Sequence, residues 1–266
     1  MRADGMRGKA LVTGASSGIG LAVATLLRQS GYDVVGTSRT PGASGGHGIP
    51  LLPLDLDDPD SVRELAARVG EVDVLVCNAG ESLCGPLEDV AYEALERLFR
   101  VNVLGHALLT QQVVAGMRAR RRGRIVMIGS MHASFPVAFR SGYVASKAAL
   151  RGLADALRSE LAPYGVAVTT VEPGSIRTGI SERRSIHLAE RSPYAGAFGR
   201  FLEALDGREK TGPTPDTVAR VVLDAVAAAR PRRLYPAAPR GRMTYALARV
   251  LPEPVMERLV LRSHGL

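Results

Sequence analysis

Short runs of apolar and β-branched residues alternate with longer segments of helical periodicity along almost the whole chain. Seven such runs predict strands, and the first six show little alternation between apolar and polar positions. Continuous apolar runs are typical of strands that are buried on both faces of a parallel sheet. The predicted strands are Lys9–Thr13, Asp33–Ser38, Ile49–Leu54, Val72–Cys77, Arg124–Gly129, Val166–Val171 and Arg232–Tyr235.

Helical periodicity occupies the segments between these strands. Because strands and helices alternate from one end to the other, the sequence predicts an α/β fold in a single domain. We expect a doubly wound, mostly parallel sheet of seven strands with helices on both faces and right-handed crossovers. The predicted helices are Ile19–Ser30, Asp58–Val69, Tyr92–Arg121, Tyr143–Pro163 and Pro215–Ala229.

Residues 175–215 interrupt this rhythm with a mixed polar and aromatic stretch after the sixth strand. Ligands bind at the carboxyl edge of open α/β sheets, which is where this stretch begins. We therefore interpret 175–215 as a lid over a substrate, within a binding and catalytic domain that spans 1–238. A plain surface insertion is the alternative interpretation.

Residues 239–266 form a basic C-terminal extension. Between Met243 and Leu261, apolar residues recur at helical spacing on either side of Pro252-Glu253-Pro254. Amphipathic helices most often face their own protein core, so we favour packing over the substrate cleft or across a subunit interface. Peripheral contact of this tail with an anionic membrane or an acidic carrier protein is the alternative, because arginines flank the apolar positions.

The net charge of +8, from 34 Lys and Arg against 26 Asp and Glu, calls for comparison with a nucleic-acid-binding protein. Eight arginines fall within 230–266 against Glu253 and Glu257, a local net charge of +6, which leaves 1–229 nearly neutral. Aromatic residues make up only 5% of the chain and Trp is absent, so stacking platforms for bases are not expected. We expect no nucleic acid among the partners.

Two cysteines, Cys77 and Cys84, are too few for a disulfide framework and lack the spacing of metal ligands. No metal site is therefore predicted. The polar segment from Met1 to Lys9 has no hydrophobic core of a signal peptide, and no apolar run approaches the ~18 residues of a transmembrane helix. These features indicate a cytoplasmic protein.

A glycine-rich turn follows the first predicted strand and opens the first helix. A phosphate needs close approach of the backbone and helix N–H groups that point at it, and glycine permits both. The spacing is G-x3-G-x-G, and its place in a β-α-β unit predicts a dinucleotide site. The residues assigned to it are Gly14, Ser16, Ser17, Gly18, Ile19 and Gly20.

Together with Tyr143-x-x-x-Lys147, this turn resembles the short-chain dehydrogenase/reductase family of nicotinamide-dependent oxidoreductases, which have the Rossmann fold. The two residues would lie one turn apart on one helix face, within the family's Y-x-A-S-K pattern. The resemblance covers roughly residues 8–235. Further matches in the family's order are Asn78-Ala79-Gly80, Asn102, Ser130 and Pro173-Gly174.

The resemblance implies a catalytic set of Asn102, Ser130, Tyr143 and Lys147. Tyr143 would exchange the proton of a hydroxyl or carbonyl oxygen during hydride transfer, and the Lys147 ammonium would favour its phenolate and bind the nicotinamide ribose. Ser130 would hydrogen-bond the substrate oxygen. Asn102 would hold a water that links Lys147 to solvent.

The choice of cofactor depends on the end of the second strand, which reads Gly36-Thr37-Ser38-Arg39. An acid there would bind the ribose 2′-hydroxyl of NAD, whereas a cation suits the 2′-phosphate. The missing acid and Arg39 predict NADP(H). The family resemblance also implies that Asp55 and Leu56 contact the adenine, with an N-cap role as the alternative for Asp55, and that Asn78, Ala79, Gly80, Pro173, Gly174, Ile176 and Thr178 contact the cofactor.

Glu172, before Pro173, resembles the branch of the family that contains 17β-hydroxysteroid and retinol dehydrogenases. This resemblance implies a bulky apolar ketone or secondary alcohol, of steroid, retinoid or polyketide type, as substrate. The alternatives are an NAD-linked alcohol dehydrogenase of the same family and a non-catalytic regulator that senses NADP. The family also implies a homodimer or homotetramer. His132 is interpreted as a surface or core histidine, and lining of the substrate pocket is the alternative.

Overall fold

The apolar runs of the chain assemble into one sheet that is parallel at every pairing. The computed structural model describes residues 7–43, 48–238 and 241–266; the first six residues of the expected catalytic domain and the first two of the C-terminal extension lie outside these ranges. The strands are β1 (Lys9–Val12), β2 (Asp33–Ser38), β3 (Leu51–Pro53), β4 (Val74–Cys77), β5 (Leu83–Cys84), β6 (Gly123–Ile128), β7 (Val166–Pro173), β8 (Ser185–Ile186) and β9 (Leu234–Ala237).

Seven of these strands form the central sheet in the order β3-β2-β1-β4-β6-β7-β9. Their register places Leu11 of β1 beside Val35 of β2 and Leu75 of β4. The order reverses between β1 and β4, which creates a crevice at the carboxyl ends of these strands. The prediction of a single α/β domain with a doubly wound seven-stranded sheet is confirmed.

Helices cover both faces of this sheet. They are α1 (Gly18–Gln29), α2 (Pro59–Val69), α3 (Tyr92–Phe99), α4 (Gly105–Ala119), α5 (Ser141–Leu161), α6 (Ala195–Thr211), α7 (Pro215–Ala227), α8 (Gly241–Leu247) and α9 (Glu253–Ser263).

The two faces of the sheet have separate hydrophobic cores. On one face α1 and α7 pack against Val12 and Val76, and on the other α2, α4 and α5 pack against Leu11 and Leu75. Alternate residues of one strand thus serve opposite cores, as expected for a strand with helices on both sides. This explains why the strands read as continuous apolar runs.

The helix predicted over Tyr92–Arg121 is divided, which corrects the sequence interpretation. Between α3 and α4 the backbone forms a π-helical segment, Arg100–Leu104, with Asn102 at its centre. Such wider turns are frequent at functional sites. Helical periodicity did not reveal this break, because apolar and polar residues keep nearly the same spacing through a single wide turn.

The predicted lid region contains regular structure that the sequence interpretation did not assign. Strand β8 pairs in parallel with β5 as a separate two-stranded sheet, and α6 buries Phe198, Phe201 and Leu205. The side chain of Arg184, almost fully buried, joins the two parts by ion pairs to Asp206 and Glu209 at 2.8 and 2.7 Å.

The C-terminal extension packs against its own chain. Val260 and Leu266 contact the apolar cluster that contains Phe201 of α6, and Arg208 of α6 donates to the backbone carbonyl of Ser263 at 2.9 Å. The tail therefore covers the outer side of the predicted lid. Within the described ranges, no helix is both long and apolar enough to cross a membrane.

Candidate active site

A cleft of about 700 Å³ lies along the carboxyl edge of the central sheet. Of the predicted site residues, only Gly20 and Asn102 do not line it, and both are buried directly behind its wall. The predicted residues that line it are Gly14, Ser16, Ser17, Gly18, Ile19, Arg39, Asp55, Leu56, Asn78, Ala79, Gly80, Ser130, Tyr143, Lys147, Pro173, Gly174, Ile176 and Thr178.

The glycine-rich turn between β1 and α1 needs its glycines for two different reasons. Gly14 and Gly18 have φ angles of +65° and +55°, in the left-handed region that other residues rarely adopt. Gly20 has no room for a side chain, because a Cβ there would overlap the Gly14 carbonyl and lie 2.5 Å from the Asn78 amide nitrogen. The turn thus brings the backbone itself to the cleft surface.

Helix α1 begins at Gly18 with its N-terminus at this turn. Ser17 is the N-cap residue, yet its side chain makes no capping hydrogen bond to the first turn. The first N–H groups of a helix have no intrahelical partner and attract anions. This end of the cleft therefore offers backbone donors to a phosphate.

Thr13 and Asn78 hold the two loops of the cleft floor together. The Thr13 hydroxyl oxygen accepts the N–H groups of Asn78 and Ala79 at 2.8 and 3.0 Å, and the Asn78 amide donates to the Thr13 carbonyl at 2.9 Å. Asn78 therefore fixes the relative position of the loops after β1 and β4.

The loops after β2 and β3 form the far end of the cleft. Asp58, not Asp55, caps α2 by accepting the N–H of Asp60 at 2.9 Å, so the N-cap alternative for Asp55 was wrong. Asp55 accepts the N–H of Asp57 at 3.0 Å and lines the cleft. Arg39 also lines it, with 63% of its side chain exposed and a single long ion pair of 3.6 Å to Glu81.

Helix α5 carries Tyr143 and Lys147 one turn apart, both buried and both on the cleft. The Lys147 ammonium donates to the Ile128 carbonyl at the end of β6 at 3.0 Å and lies 5.9 Å from the centre of the Tyr143 ring. Burial lowers the pKa of Lys147, Tyr143 opposes this and Arg140 adds to it. The hydrogen bond to the end of β6 therefore fixes the Lys147 ammonium close to Tyr143.

Ser130 follows β6 by two residues, because the strand ends at Ile128 rather than at Gly129. Its hydroxyl oxygen accepts the N–H of His132 at 3.2 Å. A hydroxyl that accepts from the backbone keeps its own proton for another partner. Ser130 lines the cleft near Tyr143 and is thus able to donate to an oxygen bound there.

Asn102 lies behind this group and is completely buried. Its amide nitrogen donates to the Glu81 carbonyl and to the Ser146 hydroxyl, each at 3.1 Å, while its oxygen accepts the Glu81 N–H at 2.9 Å. Ser146 lies between Tyr143 and Lys147 along the chain. Asn102 therefore couples the loop after β4 to helix α5.

The segment after β7 closes the opposite wall of the cleft. Pro173, Gly174, Ile176 and Thr178 line it, and Thr178 lies so near the start of α1 that a Cβ on Gly18 would be 3.3 Å from the Thr178 Cβ. This segment thus lies directly against the glycine-rich turn at the start of α1.

Glu172, the penultimate residue of β7, is completely buried. It accepts hydrogen bonds from Ser134 at 2.9 Å and from Tyr245 of α8, and Arg151 lies 3.6 Å away. Burial raises the pKa of the Glu172 carboxyl, against the opposing effect of these three partners. Glu172 thus anchors the C-terminal extension to the central sheet.

Two further residues of the cleft were not among the predicted site residues. His132 lines the cleft, which agrees with the alternative interpretation of this residue, and Arg140, which the sequence analysis did not consider, lines it three residues before Tyr143. Their nearness in sequence to Ser130 and Tyr143 was the available signal. It was weak because the chain is rich in arginine and because side-chain direction outside regular elements is not periodic.

Comparisons with known sequences agree with this geometry. The family model described as short chain dehydrogenase matches residues 8–188. The chain is 31% identical to 3-ketodihydrosphingosine reductase of Bacteroides thetaiotaomicron over 93% of this chain and 94% of that protein. It is 33% identical to retinol dehydrogenase 8 of Bos taurus (83% and 78% covered) and to human 17-beta-hydroxysteroid dehydrogenase type 1 (85% and 76%).

Solved structures give the same result. A short-chain dehydrogenase from Streptomyces avermitilis superposes with a TM-score of 0.81 at 30% identity, covering 94% of both chains. A metagenomic short-chain oxidoreductase, solved in complex with NADP, has a TM-score of 0.68 at 30% identity, covering 86% of this chain and 96% of that one.

Proposed function

Since the chain belongs to the short-chain dehydrogenase family, in the branch of the retinol and 17β-hydroxysteroid dehydrogenases, we propose that it transfers a hydride between NADP(H) and a ketone or secondary alcohol. The observation that carries the proposal is that Ser130, Tyr143 and Lys147 line the same cleft as the start of α1, whose N-cap side chain makes no hydrogen bond to the first turn. Hydride transfer to a carbonyl carbon needs both a proton donor for the oxygen and a bound nicotinamide in the same cleft.

The residues of the cleft fit a dinucleotide. Gly14, Gly18 and Gly20 let the turn adopt a backbone path that side chains would obstruct, and the start of α1 would bind the pyrophosphate. When bound, the nicotinamide would supply or accept the hydride. Ile176 and Thr178 would hold its carboxamide, and Lys147 would hold the ribose next to it.

The preference for NADP(H) over NAD(H) rests on Arg39. Its guanidinium is mostly exposed on the cleft, and the nearest acid, Glu81, is already bound by two nitrogens of Arg97 at 2.8 and 3.2 Å. Arg39 is therefore available for the 2′-phosphate, which suits its planar donors. The structure of a related oxidoreductase with NADP supports the same choice.

Tyr143 would act as the general acid in reduction and the general base in oxidation. In reduction its hydroxyl proton moves to the oxygen of the carbonyl as the hydride adds to the carbon. Lys147, held 5.9 Å from the ring centre, would stabilise the phenolate left behind. Ser130 would donate to the same substrate oxygen as charge develops on it.

Asn102 would support the return of a proton to Tyr143. The amide oxygen of Asn102 and the ammonium of Lys147 both face Gly80, where a Cβ would lie 2.9 Å from the first and 3.6 Å from the second. A water beside Gly80 would therefore reach both groups, and the water relay to solvent belongs to this proposal.

For the substrate we propose a bulky molecule with an apolar body, of steroid, retinoid or polyketide type. The substrate side of the cleft includes Leu83, Leu98, Ile180 and Leu205. Related proteins named for retinol, a hydroxysteroid and ketodihydrosphingosine support this class. In this proposal the catalytic domain spans 1–238 and includes the lid at 175–215. The covering extension spans 239–266.

Two alternatives to this function can be tested by experiment. An NAD-linked dehydrogenase would make Arg39 a solvated surface residue. A non-catalytic NADP sensor would not need Ser130 and Tyr143 side by side, and for that reason we favour the enzyme.

For assembly we propose a homodimer or homotetramer, to be measured by light scattering. It would form through α4 and α5, beside which Leu104 exposes 59% of its surface.

We propose a cytoplasmic location because Cys77 and Cys84 are both free and buried thiols.

For the tail we propose packing on the lid rather than membrane contact. Because Met243, Val250 and Leu259 are exposed apolar residues of the tail, sedimentation with anionic vesicles tests the alternative.

The experiment that tests the function is NADPH oxidation by the wild-type protein across steroid, retinal-like, polyketide and small aryl ketones. With the best substrate, Tyr143→Phe should lose 100-fold to 10,000-fold in kcat, about the range of general acid–base catalysis. NADPH binding, followed by its fluorescence, should persist because only a hydroxyl is removed. Retention of most turnover by Tyr143→Phe at saturating NADPH would show that another group transfers the proton.

A further inference from the structure

Arg140 is a buried cation on the substrate side of the cleft, and the roles proposed for the other residues make no use of it. It is 4% exposed, and its guanidinium carbon lies 4.0 Å from the centre of the Tyr143 ring. Buried arginines in proteins are almost always paired with acids. Among the described residues, no carboxylate lies within 4.0 Å of this guanidinium.

The hydrogen bonds of Arg140 are also incomplete. One terminal nitrogen donates to the Ser82 hydroxyl at 2.7 Å, whereas the buried Nε has no partner in the described part of the chain. Serine is a neutral acceptor and does not balance the charge. Arg140 thus has donor capacity and a positive charge that the folded chain leaves unsatisfied.

The acids of α6 at the cleft are already bound elsewhere. Glu209 lines the cleft and Asp206 lies one turn away on α6, but Arg184 holds both of them. Lys147, a second cation, lies 5.9 Å from the centre of the Tyr143 ring, and burial together with the charge of Arg140 lowers the pKa of Lys147 and of His132. The space around the reacting oxygen is therefore positive.

The backbone holds Arg140 in place at some cost. Phe139, the preceding residue, has a φ of +63°, which is unusual for a bulky side chain. Its carbonyl accepts the Gly85 N–H at 2.9 Å, and its ring packs edge-on against Phe198 with centroids 5.4 Å apart. Phe139 thus packs its own ring against Phe198 of α6, and the unusual backbone angle directs the next residue, Arg140, onto Tyr143. Backbone strain of this kind is frequent at functional sites.

We propose that Arg140 is the recognition residue for a carboxylate carried by the substrate close to its reacting carbonyl, as in a 3-oxo acid and the corresponding 3-hydroxy acid. The carboxylate would supply the missing counter-ion and accept from the guanidinium while the carbonyl oxygen meets Tyr143 and Ser130. The apolar remainder of the substrate would extend along the lid. This inference rests on the proposed function and narrows its substrate class.

The test compares 3-hydroxyoctanoate with the neutral 3-hydroxyoctanamide as substrates for NADP⁺ reduction. The wild-type protein should prefer the acid in kcat/KM. Arg140→Met should reduce that preference about 30-fold or more, as expected for the loss of a charge-assisted hydrogen bond from a buried site. Arg183→Met, which removes an exposed arginine from the same cleft, is the matched control and should change the preference less than about 3-fold.

Equal losses on the acid and the amide would overturn the inference, because Arg140 would then act on Tyr143 or on folding alone. Turnover of other alcohols but of neither test compound would also overturn it, while leaving the proposed function intact. Absence of turnover with every alcohol and ketone would instead refute the proposed function.

A second measurement needs no variant. Octanoate should inhibit the wild-type protein competitively against its best ketone, at least 10-fold more strongly than octanamide, because only the acid supplies a counter-ion to Arg140. Equal inhibition by the two compounds would overturn the inference even if Arg140→Met fails to fold.

Discussion

The cofactor end and the substrate end of the cleft are built in different ways. At the cofactor end the chain contributes the loops that directly follow β1, β2, β3 and β4, and its key contacts involve the backbone, such as the clasp of Thr13 with Asn78. At the substrate end, side chains from distant segments meet: Arg140 reaches Ser82, 58 residues away, and behind the cleft Tyr245 reaches the buried Glu172, 73 residues away.

This difference has a physical cause. Parallel strand order fixes which loops share an edge of the sheet, so the cofactor end follows from the fold itself. The substrate end depends on the direction of individual side chains and on the lid and the tail, which pack on one another through Phe201 and His264. We therefore expect the first end to bind a ligand common to the family and the second to determine what is specific to this protein.

The comparison predicts the largest effect for a methyl group added to the cofactor end. Gly20→Ala would place its Cβ against the Gly14 carbonyl, so the turn must move and NADPH binding should fall beyond detection at micromolar protein. Fluorescence titration with NADPH measures this. The matched control is Gly207→Ala in α6, where nothing lies within 4 Å and the helix should gain up to about 1 kcal/mol of stability.

If Gly20→Ala bound NADPH normally, the cofactor end would be more adaptable than its backbone contacts indicate, and the contrast between the two ends would disappear.

A smaller effect is expected for a side chain at the rim of the cofactor end. Arg39→Ala should raise KM for NADPH about 10-fold to 100-fold and leave KM for NADH nearly unchanged, because only the 2′-phosphate loses a charged partner. Arg63→Ala, a similarly exposed arginine on α2 outside the cleft, is the control and should alter neither value. An unchanged NADPH preference in Arg39→Ala would remove the argument for NADP(H).

The smallest predicted effect concerns the attachment of the tail to Glu172. Burial raises the pKa of this carboxyl, so the folded protein holds its proton more tightly than the unfolded chain does. The associated stability is fully present below the ordinary value of 4.5 and is lost as pH rises through the raised value. Glu172→Gln stays neutral and avoids this loss, so its melting temperature relative to wild type should rise by about 2–4 °C between pH 4 and pH 8.

Tyr245→Phe provides the opposite slope for the same site. It removes a hydrogen bond that favours the charged carboxylate, so its melting temperature should fall further below that of wild type as pH increases. Parallel pH profiles for wild type and both variants would show that the tail is not attached through Glu172.

Much of this molecule was predictable from local patterns. Apolar runs, and the turn residues that end them, predicted the seven strands of the central sheet, the glycine-rich turn and the loops after the strands. Burial on both faces makes this sequence signal strong. Helix α6 was missed although Phe198, Phe201 and Leu205 have helical spacing, since its three glycines lower the helix propensity of the segment. The π-helical break at Asn102 was missed because one wide turn does not change the composition.

The sequence by itself determined the succession of strands and helices, the place of the glycine-rich turn and the pairing of Tyr143 with Lys147 on one helix, since each follows from short-range spacing. Only the tertiary structure decided which charges are compensated. Arg184 pairs with two acids, whereas Arg140 pairs with none among the described residues, although nothing in the local sequence of this arginine-rich chain distinguishes the two. That distinction depends on long-range packing, because burial makes an unpaired charge costly and thereby informative about the ligand that completes it.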